Sequence, residues 1–142
     1  MLWLGFGPLL SARSLRFAAI VLAIAGSFGE AGGQDGSIRY IERDSIRVIY
    51  VGDAERAAAR TLEAALAPLP LPGIPEAAVL PKSNIFLAPD QAAFDSAALG
   101  RPPAWAAAVA IPSQRMIVLP GYGRGPFSDP VVTLRHELAH LA

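Results

Sequence analysis

The chain has 142 residues, the size of one domain, and its 12 lysine and arginine residues balance 12 aspartate and glutamate residues. This balance leaves no electrostatic footprint for nucleic acid. The absence of cysteine excludes disulfides, thiolate catalysis and cysteine-based zinc sites. It does not fix the compartment, since an exported protein need not use disulfides.

The N-terminal residues follow the order of a secretory signal peptide. Arg13 and Arg16 precede an uncharged, mostly apolar run over residues 17–29, and small residues follow at 31–33. The run has 13 residues, whereas a membrane-spanning helix needs about 20. We therefore expect a signal peptide over residues 1–33, export to the periplasm or the extracellular space, and no stable membrane span. An uncleaved N-terminal anchor is the alternative.

A strand and a helix are predicted at the start of the mature region. Residues 46–51 are β-branched and aromatic and are followed by Gly52, which predicts a strand. Residues 54–67 have helical periodicity, and Asp53 is placed to cap them. The expected apolar face consists of Ala58, Leu62, Ala65 and Leu66. Four prolines between positions 68 and 75 predict a loop over residues 68–82.

The next segment predicts a second strand, a short helix and a hairpin. Residues 85–88 are apolar and end at a proline, and Asp90 is placed to cap a helix over residues 91–99. Two apolar runs, 105–111 and 115–119, are joined by a short polar turn, which is typical of a β-hairpin.

The last predicted element is a helix that runs to the final residue. Asp129 is the expected N-cap and Pro130 the first helical residue, after a loop whose glycines lack phosphate-binding spacing. The expected apolar face consists of Val131, Leu134, Leu138 and Leu141. No residue typical of a helix C-terminus follows, so we expect the chain to stop within this helix.

The strongest chemical signal is the run His136-Glu137-Leu138-Ala139-His140. Residues i and i+4 of a helix share one face, so these two histidines, the only ones in the chain, can converge on one zinc ion. Glu137 is then placed to accept a proton from water as a general base. The alternative is that the three side chains lie on an exposed helix face and carry no chemistry.

The segment 104–119, followed by Asp129-Pro130 and by residues 133–140, resembles bacterial "peptidase MA-like" gluzincin metallopeptidases. The resemblance implies an α+β fold: the N-terminal half of a zincin-like catalytic domain, with a small mixed sheet, an edge hairpin, packed helices and a final HExxH helix. It implies that His136 and His140 bind zinc and that Glu137 is the catalytic base. The family's third ligand is a glutamate on a later helix, and residues 34–142 hold no such position. We therefore expect an incomplete domain that is inactive as it stands; continuation as a metzincin stays open.

The resemblance also implies a peptide or protein substrate that pairs with an edge strand near the motif. The candidates are residues 105–111 and 116–119, and the sequence does not choose between them. A secreted binding or assembly module that retains the fold without catalysis is the alternative function, and a non-peptidase hydrolase is a third. The oligomeric state stays open.

Three further side chains are expected to be structural. Trp105 is expected to pack in the core, as a single aromatic in a strand usually does. Tyr122 lies in the glycine-rich loop and is expected at the surface. Arg135 is expected to form a surface ion pair next to the first histidine.

Overall fold

A computed structural model describes residues 36–67, 73, 81–100, 102–103, 106–121 and 130–142. The strands in these ranges are β1 (Ile38–Arg43), β2 (Ile46–Val51), β3 (Ser83–Ala88), β4 (Val109–Ile111) and β5 (Met116–Pro120). The helices are α1 (Glu55–Leu66), α2 (Gln91–Ala97) and α3 (Pro130–Ala139). The fold is α+β, as predicted. No helix within the described ranges is long and apolar enough to cross a membrane. The predicted signal peptide lies outside them.

The five strands form one mixed sheet in the order β1-β2-β3-β5-β4. The three inner strands are parallel: β2 pairs with β3, and β3 pairs with β5. An antiparallel strand closes each end, β1 on β2 and β4 on β5. The predicted hairpin is therefore present, with a short 3₁₀ turn, Pro112–Gln114, between its strands. It lies at one edge of the sheet, and β4 is the outermost strand.

Hydrophobic clusters cover both faces of the sheet. The first cluster packs α1 and α3 against one face, and the second packs α2 against the other. Burial on both faces explains why β3 is continuously apolar over residues 85–88 instead of alternating. The first cluster contains Ile46, Val48, Tyr50, Ala58, Leu62, Ala65, Ile85, Leu87, Ile117, Leu119, Leu134, Leu138 and Leu141. The second contains Ile49, Phe86, Ala88, Ala93, Phe94, Ala97, Ile111, Met116 and Val118.

Most predicted elements are confirmed, with shifted ends. The strand over residues 46–51 has the predicted bounds, and β3 begins two residues before the predicted strand, at Ser83. The Asp90 cap is confirmed, since its carboxylate accepts a hydrogen bond from the backbone N–H of Ala93 at 2.8 Å. The helix it caps ends at Ala97 rather than at residue 99. Asp129 lies outside the described residues. The predicted loop over residues 68–82 also lies outside them, except for residues 73, 81 and 82.

Two predicted helix ends are wrong. Ala54, not Asp53, is the N-cap of α1, and no side chain caps that end. Gly52 has a positive φ of 61°, and the turn it opens delays the helix to Glu55. At the other end of the chain, the N–H groups of His140 and Leu141 bond to carbonyls three residues back, at 3.1 and 3.0 Å. This tighter turn ends α3 at Ala139 instead of at the final residue.

Strand β1 was not among the predicted elements. It forms a hairpin with β2 across the two residues Asp44 and Ser45, where Asp44 has a φ of 55°. Aspartate tolerates this left-handed conformation better than most residues. Facing each other on the two strands, Glu42 and Arg47 form an exposed ion pair at 2.6 Å. Such a pair contributes little to stability because water competes for both charges.

Gly121 is required by the close approach of two strand ends. Its N–H donates to the carbonyl of Ala88 at 2.7 Å, and a Cβ added to it would lie 2.9 Å from the same oxygen. That oxygen belongs to the sheet backbone and cannot move aside cheaply. We expect Gly121→Ala to lower the free energy of unfolding by about 1–3 kcal/mol, as overpacking does, measured by urea denaturation. Gly36→Ala is the matched control, because a Cβ there meets nothing within 4 Å. Equal stabilities would contradict the steric argument.

Candidate metal centre

The rotation of α3 about its axis is fixed by its leucines. Leu134 and Leu138 are 1% and 0% exposed and pack into the first cluster with Leu141. Val131, the remaining residue of the predicted apolar face, is 37% exposed and lies at the margin of this face. Because successive residues of a helix are about 100° apart, burial of these leucines turns positions 136, 137 and 140 away from the centre of the core.

The motif side chains occupy the outer side of the helix. His136 and His140 are exposed, and Glu137 is half-buried. The Nε2 atoms of the two histidines lie 3.2 Å apart, and the rings meet edge to face with centroids 4.8 Å apart. The structure therefore brings together the two predicted ligands, with the predicted base between them in sequence.

The separation of the two nitrogens fits a shared zinc ion. A tetrahedral zinc with bonds of about 2.0–2.1 Å places two ligand nitrogens about 3.3 Å apart. The observed 3.2 Å agrees with this value. The same distance permits a direct hydrogen bond in which one ring donates and the other accepts. On an exposed surface that bond adds little, since water competes for both nitrogens.

An open groove of about 620 Å³ runs beside the motif. The described part of its lining comes from the segment between Ala98 and Pro112, which includes β4, from Glu137 on α3, and from His140 just after α3. Apart from those two side chains, the described lining consists of alanine, proline, glycine and one valine. Catalytic candidates and an apolar wall thus share one cleft, which is the usual form of a small-molecule or peptide site.

The structure selects one of the two predicted candidates for a substrate-pairing edge. Residues 116–119 belong to β5, which is paired on both sides, with β3 and with β4. Of these two candidates, only β4 has a single partner strand in the described sheet, and it borders the groove. The edge strand is therefore Val109–Ile111, the C-terminal part of the predicted run 105–111.

Arg135 is not a surface residue, which corrects the prediction for it. Its side chain is 7% exposed, and its Nη1 donates to the carbonyl of Ala67 at 3.3 Å. Ala67 is the C-cap of α1, where carbonyls lack helical partners and a positive charge is favoured. Arg135 thus joins α3 to the end of α1 next to the first histidine.

The described residues supply two candidate metal ligands, His136 and His140. They contain no group of three or more His, Cys, Asp or Glu side chains arranged to hold a metal ion.

Two predicted structural residues, Trp105 and Tyr122, lie outside the described ranges. The groove wall of Ala108 and Ala110 was not predicted. Its signal is the run Ala108-Val109-Ala110-Ile111, in which small and branched side chains alternate with the period of a strand.

No protein-family model, no curated protein and no solved structure matches this chain.

Proposed function

We propose that this chain carries the zinc-binding and general-base residues of an exported zinc-dependent metallopeptidase. The observation that carries the proposal is the 3.2 Å separation of the His136 and His140 Nε2 atoms, on a helix whose intervening glutamate lines the adjoining groove. Two such nitrogens are ligands that zinc prefers. The resemblance to gluzincins names the same three residues for the same roles.

Each motif residue has a distinct role in the proposed reaction. His136 and His140 would hold the zinc through their Nε2 atoms. The chemistry that zinc would supply there is polarisation of the peptide carbonyl and a lower pKa of bound water, toward about 7. Glu137 is not a ligand. It accepts a proton from the attacking water and passes it to the nitrogen of the leaving amine.

The edge strand supplies the proposed binding surface for the peptide backbone. One side of β4 pairs with β5, and no described strand pairs with its other side, where an extended peptide would form backbone hydrogen bonds. Since β4 has three residues, it can align only a short stretch of the substrate. The substrate must therefore be extended and accessible, as in an unfolded or flexible segment.

A catalytic zinc takes three protein ligands. We place the third outside the described residues; in the gluzincins that the motif resembles, this ligand is a glutamate. A second function is favoured by the described ligand set itself: two histidines alone bind zinc weakly, which suits a secreted binding or assembly module without catalysis. The zinc content of the full-length gene product separates the two functions.

We expect the full-length gene product, purified and dialysed against a weak chelator, to retain about one zinc per chain. His136→Ala should reduce the zinc content more than tenfold, because a single remaining histidine of the pair cannot hold the ion with the same affinity. The measurement is inductively coupled plasma mass spectrometry. Glu63→Ala, on the exposed side of α1, is the control. A folded full-length protein without zinc would overturn the proposal and leave the binding module.

A further inference from the structure

The two faces of β4 carry side chains of different size. Ala108, which precedes the strand, and Ala110 pack against the cluster beneath α1 and α3. Ile111 belongs to the cluster on the opposite face, and Val109 packs against it. The larger side chains therefore fill the core on the α2 side. On the side of the motif helix, the strand presents only methyl groups.

These methyl groups border the groove that contains Glu137 and His140. All four residues, Ala108, Ala110, Glu137 and His140, line one continuous space. Beyond the glutamate and the histidine, the described lining carries no charged side chain that could pair with a charge on a ligand. An acidic side chain would meet the Glu137 carboxylate there, and a basic side chain would find no acidic partner in the described lining other than Glu137.

An extended peptide beside β4 would place alternate side chains on the face of Ala108 and Ala110. Directly opposed residues of adjacent strands have Cβ atoms about 5 Å apart. A peptide side chain in that position would thus extend over an alanine, into the space that a larger residue would fill. The groove volume of about 620 Å³ can contain an aromatic or branched aliphatic side chain.

We propose that Ala108 and Ala110 are the residues that determine side-chain specificity at this site, and that they select peptides with a bulky uncharged apolar residue at the position facing them. This inference rests on the proposed peptidase function. It adds a substrate class and two residues that the zinc motif does not define. The apolar lining and its continuity with Glu137 and His140 carry it.

The test uses the full-length gene product and internally quenched peptides in which Phe, Ala or Lys occupies each position in turn. At one position, kcat/KM should be at least tenfold higher for Phe than for Ala or Lys, the range expected for one apolar pocket. Ala110→Leu should remove this preference by lowering kcat/KM for the Phe peptide tenfold or more relative to the Ala peptide. Ala59→Leu makes the same change on the exposed side of α1 and should leave the preference intact.

Two further measurements keep the inference separate from the proposed function. Affinities of the same peptides for the Glu137→Gln protein, by fluorescence anisotropy, report side-chain preference without turnover. Ala108→Val is the smaller second change if Ala110→Leu fails to fold. Folded variants that leave the Phe preference unchanged would overturn the specificity assignment while Glu137-dependent hydrolysis stands. If the Glu137→Gln protein binds the Phe peptide preferentially but the unmutated protein hydrolyses none of the peptides, the specificity assignment stands and the proposed peptidase function is overturned. No preference in either assay would overturn the inference.

Discussion

Glu137→Gln in the full-length gene product is expected to lower kcat for peptide hydrolysis by about two to four orders of magnitude, the usual contribution of a general base. Glutamine has nearly the same shape as glutamate but cannot take a proton from water. Glu137 is half-buried and lines the groove beside His140, so the loss is chemical rather than structural. The measurement is kcat on a peptide that the wild-type protein cleaves.

Zinc content should separate this effect from loss of the site. Since Glu137 is not a proposed ligand, the variant should keep the zinc that His136→Ala loses. Glu63→Gln, an identical change on the exposed side of α1, should keep full activity. Normal hydrolysis by Glu137→Gln would show that another group is the base. Loss of zinc together with activity would make Glu137 a ligand instead.

Leu138→Ala is expected to have the largest effect on stability, about 2–5 kcal/mol in the free energy of unfolding. Leu138 is 0% exposed and lies in the cluster that joins α3 to α1 and the sheet. Its truncation removes apolar contacts and leaves a cavity that rigid strands cannot fill. Because total stabilities are about 5–15 kcal/mol, this loss is a large fraction. The measurement is urea denaturation of the wild-type and variant proteins, whose midpoint and slope give the free energy of unfolding.

The matched control for Leu138 is on the same helix. Val132 is 64% exposed, so Val132→Ala should change the free energy of unfolding by less than about 0.5 kcal/mol. Comparable losses for both variants would mean that α3 does not dock through its leucine face. In that case the placement of Glu137 and His140 in the groove lining would have no support.

Strong local patterns made most of the fold predictable. β2 and β3 are rich in β-branched and apolar residues, and Asp90 and Pro130 are residues with a clear preference for helix starts. β1 was missed because its half-buried edge position leaves Arg39, Glu42 and Arg43 exposed, which weakens the apolar alternation. The sequence signal for the hairpin of β1 and β2 was the two-residue turn at Asp44 and Ser45 between the two strand segments.

The errors at helix ends come from backbone turns that side-chain patterns do not encode. Gly52 moves the start of α1 beyond Asp53, and i→i−3 bonds end α3 before His140. For the candidate site, the motif predicted that His136, Glu137 and His140 lie close together, since their spacing in sequence is local. The groove needed tertiary information, because Ala110 and Glu137 become neighbours only when α3 packs across the sheet. The buried contact of Arg135 with Ala67, 68 residues away, depends on the same packing.

The strand order also bears on when the groove forms beside Glu137 and His140 during folding. Each end of the sheet is a hairpin with a short connection, β1 with β2 and β4 with β5, and such hairpins form in about 1–10 μs. The pairings of β3 with β2 and with β5 are parallel and close longer loops, so they form more slowly than the two hairpins. α3 contacts α1, β4 and β5, a surface that is complete only after β3 has joined the two hairpins. Formation of α3 can align His136 with His140 early, but the groove beside them is assembled last.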